Sequence, residues 1–339
     1  MRSVFSPVMQ RWKAWIPQRF SDSIAFPNSE SPAESESFAV LCCFDQKLLL
    51  VHAKVSLQLV KFVDCLSVDL PSHLIGDQRV ENPREVAQIV LDLLAAMELE
   101  EQPLLLALSS SKFSHATFDA DSITQFDLSD RVIREKSPFL ASDCLIELND
   151  VPAALASRPL CGVTYANTTH IQSWHAVLDQ LNAPIVGLSP MFAGVLDWLP
   201  EFKAAGQSLV FCDVEESLCN VLLKTDEGHF HASQLPFGSS LYTGQSSRLS
   251  GQFFARLNAS VEFLIVEHGV NPKARKILSG FGLDLLDPTS TSASNDWAWM
   301  SELCSKTCKV SADSHSDQLV KHRQLYPMLM TLLYSYCCP

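Results

Sequence analysis

The order of apolar and polar segments along the chain predicts the same series of strands and helices twice. In the second half, apolar runs separated by polar turns predict a meander of three strands, followed by a helix, a strand, a second helix and a last strand. The predicted elements are, in order, Ser208–Asp213, Leu218–Lys224, His229–Leu235, Ser246–Ala259, Val261–Val266, Asn271–Gly280 and Leu283–Leu286.

The first half follows the same order around one interruption. Strands are predicted at Phe38–Phe44, Lys47–Ala53, Gln58–Leu70, Leu104–Leu108, Leu160–Tyr165 and Pro184–Leu188, and helices at Pro83–Met97, Ile171–Leu181 and after Ser189-Pro190. The polar stretch Ser109–Asp150 is interpreted as an inserted subdomain, after which Leu160–Tyr165 resumes the framework. A closing helix is predicted at Leu319–Tyr336 near the C-terminus.

The helix at Pro83–Met97 has the clearest signals. Asn82 can cap it, Pro83 suits its first position and Glu85 its third. One apolar stripe then follows at helical spacing, made of Val86, Ile89, Val90, Leu93, Leu94 and Met97. This helix is expected to cover one face of the first sheet.

A strand–strand–strand–helix–strand–helix–strand unit is typical of the ribonuclease-H/actin-like lobe. The predicted fold class is therefore α/β, an actin-like duplicated two-lobe fold with an inserted subdomain. Residues 1–37 are predicted to be a basic segment and disordered linker, 38–205 lobe I with the insert at about 109–150, and 206–290 lobe II. Residues 291–339 are predicted to form a loop and a closing helix that packs back on lobe I.

Composition narrows the function. The 339 residues have a formal net charge of −13, which disfavours nucleic-acid binding because a phosphate backbone would be repelled. No apolar run approaches the roughly 18–20 residues that cross a bilayer, so the chain is expected to be soluble. Arg2, Arg11, Lys13 and Arg19 lie among aromatic residues at the N-terminus. This segment either touches anionic lipid or is a frayed terminus.

The cysteine and histidine residues do not form the pattern of a metal site. The 11 cysteines fall mostly in apolar strands, where a free thiol behaves as a small hydrophobe, and no CxxC pair occurs. Structural thiols in a reducing cytosol are the interpretation, rather than a metal centre. His229 and His231 alternate along a predicted strand without nearby ligands. Ser109–Ser111 lacks the Gly-x-Ser-x-Gly context of a hydrolase nucleophile.

Several segments, taken in order, resemble the actin-like PilM family, the cytoplasmic platform proteins of type IV pilus assembly. The resemblance runs from Phe38 to the C-terminus. It is carried by Val68–Pro71 with Gly76 and Val80, Arg134–Phe139, Val163–Ala166 followed by Ile171–Leu181 and Pro184–Ala193, Leu235–Gly238, Ile265–Gly269 and Tyr326–Tyr334. It implies a nucleotide site between the lobes, a groove beside the insert and a terminal helix.

The chain departs from that family at the nucleotide site. The first phosphate loop, Asp-x-Gly followed by a Lys, is reduced to Asp45, Gln46 and Lys47, and no glycine precedes Gly76. The second loop is Asp213-Val214-Glu215-Glu216-Ser217 in place of Asp-x-Gly. Missing glycines remove the ring of backbone N–H groups that binds an anion, and added carboxylates repel phosphate. A magnesium ion would reverse that repulsion.

The residues that the resemblance implies for a residual nucleotide site are Asp45, Lys47, Asp213, Ser217, Gly238 and Gly269. Asp45 and Asp213 are either the metal-associated carboxylates of an actin-like site or ordinary turn residues, because Asp is common in β-turns. Lys47 is either a phosphate ligand or an exposed strand residue. No metal ligands and no catalytic base are assigned, while ATP and magnesium remain open as cofactors.

The resulting hypothesis is a non-enzymatic adaptor beneath the inner membrane, in a type IV pilus, competence or related secretion machine. The resemblance implies that its groove accepts the short cytoplasmic N-terminal tail of a bitopic inner-membrane pilus assembly protein, with an assembly ATPase as a further partner. The alternative is an active Mg-ATP-binding ATPase whose nucleotide state controls assembly. A sugar or acetate kinase is disfavoured, because it needs the same missing loops.

Overall fold

The structure is a computed structural model that describes residues 35–44, 46–56, 59–76, 79–119, 137–140, 143–150, 160–198, 206–242, 247–286, 297–305, 308–310 and 321–337. Its strands are β1 (Glu36–Phe44), β2 (Lys47–Val55), β3 (Val60–Asp69), β4 (Leu104–Leu108), β5 (Phe113–Asp119), β6 (Cys144–Asp150), β7 (Leu160–Asn167), β8 (Ile185–Pro190), β9 (Leu209–Val214), β10 (Cys219–Lys224), β11 (Phe230–Leu235), β12 (Arg275–Ser279), β13 (Trp297–Trp299) and β14 (Cys308–Val310). Its helices are α1 (Pro83–Ala96), α2 (Thr168–Leu178), α3 (Ala193–Trp198), α4 (Ser247–Glu267), α5 (Met300–Leu303) and α6 (Tyr326–Cys337).

Two sheets repeat one strand order, which confirms the predicted duplication. The first sheet runs β14-β3-β2-β1-β4-β8, and the second begins β13-β12-β9-β10-β11. In each sheet three strands form an antiparallel meander, and two later strands add in parallel beside the first strand of the meander. We call these two units lobe I and lobe II. The fold is therefore the expected α/β, actin-like pair of lobes.

The insert forms a small antiparallel layer of β5, β7 and β6. A single pairing of Ala116 with His231 joins this layer to β11, so the insert extends the sheet of lobe II. The expectation that Leu160–Tyr165 resumes lobe I is wrong, because β7 pairs along its whole length with β5 and β6. The lobe I framework resumes with α2, and β8 completes its sheet beside β4.

Several elements of lobe II differ from the prediction. The expected strand Val261–Val266 is the last part of α4, where Val261, Leu264 and Ile265 are buried at helical spacing against the sheet. The expected helix Asn271–Gly280 contains β12, which lies between β9 and β13. The expected strand Leu283–Leu286 is replaced by a 3-10 turn, Phe281–Leu285. In each case packing on the sheet outweighs local propensity.

Two predicted helix starts also shift. Ser189-Pro190 ends β8, and the short helix α3 begins at Ala193. The closing helix begins at Tyr326 and packs against α3, β2 and β14, all beside the lobe I sheet. Helix α1 starts as predicted, with the Asn82 side chain accepting a hydrogen bond from the Glu85 N–H at 3.3 Å. No helix in the described part of the chain is long and apolar enough to cross a membrane.

The core explains how the lobes are held together. One face of β9, with Val210, Cys212 and Val214, packs under α4 in a cluster confined to lobe II. The alternate residues Leu209 and Phe211 belong instead to the large cluster that fills lobe I. Because side chains alternate between the two faces of a strand, lobe II is covered by α4 on one side and by lobe I on the other.

Candidate functional site

The turns that open the two meanders meet between the lobes. Lys47 is the first residue of β2, and the turn between β9 and β10 comprises Glu215–Leu218. The Lys47 Nζ donates to Glu216 Oε1 at 2.8 Å and lies 3.6 Å from Asp69 Oδ1. Lys47, which the resemblance implies for a residual nucleotide site, therefore pairs with a carboxylate of the protein itself.

A second contact across the lobes involves Glu215, whose side chain is buried. Its two carboxylate oxygens lie 2.7 and 2.8 Å from the hydroxyl of Ser109, which follows β4. Asn220 on β10 donates to Glu215 Oε1 at 3.1 Å. A buried carboxylate is tolerated when donors surround it, and here the donors come from both lobes.

The backbone of the β9–β10 turn is packed by protein on two further sides. The N–H groups of Ser239 and Ser240 donate to the carbonyls of Glu215 and Glu216 at 3.0 and 2.9 Å. A Cβ on the preceding Gly238 would lie 2.4 Å from the Glu216 carbonyl oxygen. Glycine is required at this position because no side chain fits between the two segments.

The loop after β12 covers the other side of the turn. Gly280 has a φ of 119°, which side chains disfavour, and a Cβ there would lie 2.4 Å from the Val214 carbonyl oxygen. A Cβ on Gly282 would lie 2.5 Å from the carbonyl oxygen of Glu215. The two glycines let this loop lie directly against the turn.

Phe281, between these glycines, links the lobes by ring contacts. Its ring stacks on Phe44 with centroids 4.6 Å apart and on His322 with centroids 4.8 Å apart. The Lys47 Nζ lies 4.9 Å from the centroid of the same ring. Burial, together with Lys47 and Lys321, lowers the pKa of His322 to about 4. A neutral imidazole therefore packs on this stack.

Asp213 is the last buried polar residue before the turn. Its side chain points to the same face of β9 as Phe211, two residues earlier, and Asp213 is only 1% exposed. Burial raises its pKa to about 7, although the nearby polar side chains of Ser110 and Asn220 act in the opposite direction. Asn220 lies opposite Asp213 on the neighbouring strand. This acid is partly protonated at neutral pH.

The structure brings some of the predicted site residues together. Lys47, Asp213 and Gly238 lie around the β9–β10 turn, and Ser217 is an exposed residue of the turn itself. Asp45 lies outside the described residues. Of the described members, only Gly269 lies elsewhere.

Gly269 follows α4 at the opposite end of β9. β12 pairs with β9 so that Arg275 faces Leu209 and Ser279 faces Asp213, and Gly269 lies before this start of β12. The neighbouring Asn271 contacts Ser208 and Asp226, also at that end. With a φ of 64°, Gly269 ends the helix, and the next N–H donates back to the Ile265 carbonyl at 2.9 Å.

Four further residues contact or border the turn, although no sequence pattern assigns them a role: Ser109, Asn220, Gly280 and Gly282. One signal could have identified the glycines. Gly280-Phe281-Gly282 comes directly after a buried apolar run, which is where a close backbone approach is needed at the end of a strand. Ser109 and Asn220 carry no comparable signal.

These contacts do not fit a triphosphate. The space between the turns holds the Lys47–Glu216 pair, and the backbone of the second turn is covered by residues 238–240 and 280–282. A phosphate there would lie beside Glu215 and Glu216, and one carboxylate at 4 Å costs about 4 kcal/mol at an effective dielectric of 20. Within the described residues, no cluster of three His, Cys, Asp or Glu side chains could hold a metal ion.

Solved structures show what this architecture is similar to. A chain of a PilM-PilN type IV pilus biogenesis complex superposes with a TM-score of 0.67 at 14% identity, over 91% of this chain and 100% of that chain. A Bacteroides thetaiotaomicron protein with an actin-like ATPase fold has a TM-score of 0.42 at 8% identity, over 88% of this chain and 98% of that chain. The cytoplasmic domain of EpsL, an inner-membrane component of the Vibrio cholerae type II secretion system, has a TM-score of 0.44 at 6% identity, over 88% and 95%.

No protein-family model matches the chain, and no curated protein matches it in sequence. Of these three structures, the first is the one with a TM-score above 0.5, and together with the repeated strand order it establishes the fold. The match extends over 100% of that chain. The chain therefore has an actin-like two-lobe fold similar to that of the matched chain.

Proposed function

We propose that this protein is a cytoplasmic platform protein of a type IV pilus, competence or related secretion machine, in which nucleotide binding is weak or lost. The observation that carries the proposal is the pair of direct contacts between the lobes, Lys47 with Glu216 and Ser109 with Glu215. These contacts put protein groups where an actin-like ATPase would need phosphate ligands. A protein of this fold without a phosphate site is better suited to binding than to hydrolysis.

The proposed partner is a bitopic inner-membrane protein that presents a short cytoplasmic N-terminal tail. Support comes from the fold match to a PilM-PilN complex, and from the insert, which adds a layer of strands beside lobe II. Short tails commonly bind as extended segments in a preformed groove. The net charge of −13 would speed association with a basic tail. In this proposal the protein lies at the cytoplasmic side of the inner membrane, and an assembly ATPase is a further candidate partner.

Calorimetric titration with Mg-ATP tests the nucleotide part of the proposal. We expect no binding in the micromolar range for the wild type. Micromolar binding that Asp213→Ala abolishes would instead favour the Mg-ATP-dependent alternative and overturn the proposal that nucleotide binding is weak or lost. A circular dichroism spectrum of the variant controls for misfolding.

A pull-down from detergent-solubilised membranes tests the partner. The full chain as bait is expected to recover a bitopic protein, and a synthetic peptide of that protein's cytoplasmic tail is expected to compete. Recovery of no membrane protein, or of one that its tail peptide does not displace, would count against the proposed partner. Removing residues 1–20 from the bait separates tail binding from lipid contact of the basic segment.

A further inference from the structure

A cavity of about 300 Å³ lies between the lobe II sheet and the insert, beside the turns described above. Phe211, Asp213 and Asn220 form its wall on the sheet side. Pro138 of the insert and Gln234 of β11 line it as well, and both are exposed. The cavity therefore runs from the surface down to a carboxyl group that is 1% exposed.

Three buried side-chain atoms at this wall lack a hydrogen-bond partner among the described residues. They are Asp213 Oδ2, Asn220 Oδ1 and Ser110 Oγ. The Asn220 amide is oriented by its other end, because Nδ2 donates to Glu215 at 3.1 Å. Buried polar atoms without partners are rare, and a carboxylate is costly to leave so. Asp213 Oδ2 and Asn220 Oδ1 accept hydrogen bonds and the Ser110 hydroxyl can either donate or accept one, so a complementary ligand would donate to the two acceptors.

The rest of the lining fits the same ligand. Four phenylalanine rings border the cavity, from Phe113, Phe139, Phe192 and Phe211. Aromatic faces attract cations, and guanidinium groups stack on them. None of the described residues that line the cavity is Lys, Arg or His. The wall thus offers negative charge, acceptors and aromatic rings, and no cation of its own.

We infer that this cavity binds an organic cation, a guanidinium or primary ammonium group, which donates hydrogen bonds to Asp213 Oδ2 and Asn220 Oδ1 between the phenylalanine rings. The group comes either from a free small molecule or from a Lys or Arg side chain of a bound peptide. The site does not depend on the pilus role, because its evidence is the cavity and its unpartnered acceptors.

An anion does not meet these requirements, since Asp213 and Glu215 would repel it. A bare divalent cation is a separate possibility that the experiment must exclude. Magnesium favours close octahedral oxygen ligands, whereas much of this lining is aromatic. An organic cation would contact both the hydrogen-bond acceptors and the phenylalanine rings of the lining.

The test is a set of NMR titrations of the full chain with matched probes. Ethylguanidinium and propylammonium are compared with the neutral ethylurea and propanol. The peptides Ac-Ala-Arg-Ala-NH2 and Ac-Ala-Lys-Ala-NH2 are compared with Ac-Ala-Gln-Ala-NH2. A cationic probe is expected to bind at least tenfold more tightly than its neutral counterpart, and Asp213→Asn is expected to remove that difference. Asp179→Asn, which removes an exposed carboxylate after α2, is the charge-matched control and should bind like the wild type.

Each outcome either supports or overturns the proposed cation site. Binding of the free cations supports the site and assigns a small-molecule ligand, and binding of the peptides alone supports it and assigns a side chain. No preference for cationic probes, equal binding by Asp213→Asn, or competition by magnesium at low millimolar concentration would each overturn the inference. Should Asp213→Asn fail to fold, Phe139→Leu replaces a partly exposed ring at the insert and should weaken cation binding several-fold. An unchanged affinity in that variant would also overturn it.

Discussion

Asp213 makes the stability of this protein depend on pH in a specific direction. Burial raises its pKa to about 7, so the folded chain holds the proton more tightly than the unfolded chain does. The contribution of Asp213 to the unfolding free energy is therefore fully present below about pH 4 and is lost as the pH rises towards 7, by about 1.4 kcal/mol for each unit of pKa difference. Burial also raises the pKa of Asp284 to about 8, so this residue likewise contributes less to the unfolding free energy as the pH rises.

Relative to the wild type, Asp213→Asn is expected to raise the unfolding free energy at pH 8 compared with pH 5 by a few kcal/mol, while the contribution of Asp284 remains in both proteins. Urea unfolding of the wild type and the variant at pH 5 and pH 8 measures the difference. Asp179→Asn should follow the wild type at both values. If Asp213→Asn followed it as well, Asp213 would be ionised in the folded protein and the burial argument would be wrong.

Alanine substitution at two glycines is expected to change the unfolding free energy in opposite directions. At Gly238 the added methyl would lie 2.4 Å from a backbone oxygen, so Gly238→Ala is expected to lower the unfolding free energy by about 1–3 kcal/mol. A Cβ added to Gly251 in α4 would have no other atom within 4 Å. Gly251→Ala should therefore raise the unfolding free energy by about 0.5–1 kcal/mol. Thermal or urea unfolding of both variants checks this, and a loss at Gly251 similar to that at Gly238 would contradict it.

Of the residues that the resemblance implies for the nucleotide site, Lys47, Asp213 and Gly238 lie near the turn, whereas Gly269 lies at the other end of the sheet. A glycine required by a left-handed helix end and one required by a close backbone approach look alike in a sequence. Only the pairing of β12 with β9 shows that Gly269 lies at one end of the sheet and Gly280 at the other. The role of Ser109 depends on a contact over 106 residues, which no local pattern records.

Among the elements, the meanders were predicted well and the region after them was not. Strands β9 to β11 are short apolar runs with clear turns, and tight turns fix their pairing. The segment Val261–Val266 has a strand-like composition, yet it continues α4 because a longer helix covers more of the apolar sheet face. That choice depends on the finished sheet, so the sequence alone favoured the wrong element.

The turns of β1–β2 and β9–β10 should be energetically coupled through Lys47 and Glu216. Both side chains are partly exposed, 25% and 40%, so solvent screens the pair and the coupling is expected to be only about 0.5–1 kcal/mol. A double-mutant cycle of Lys47→Ala, Glu216→Ala and the double variant measures it by urea unfolding. Asp69→Ala supplies a weaker reference, since its carboxylate lies 3.6 Å from the same amine. Zero coupling would mean that the pair does not hold the turns together.

Considered as a whole, the molecule has lobes that share apolar packing. Phe211 and Leu222 of lobe II belong to the same buried cluster as Phe44 and Leu106 of lobe I. The Phe44–Phe281 stack lies within this cluster, and the Ser109–Glu215 contact adds a hydrogen bond between the lobes. Neither lobe can unfold without exposing apolar surface of the other, so a hinge that opens freely is not expected.

The lobes are therefore expected to unfold together, in one cooperative transition. Trp174 reports on lobe I and Trp297 on lobe II, and both are buried. With fluorotryptophan incorporated and each signal assigned by a Trp→Phe substitution, both should lose their native resonance at the same urea concentration. Phe211→Ala removes a ring from the shared cluster and should lower both midpoints. Two separate midpoints in the wild type would show that the lobes are independent, and the contacts between their turns would then be too weak to keep the cleft closed.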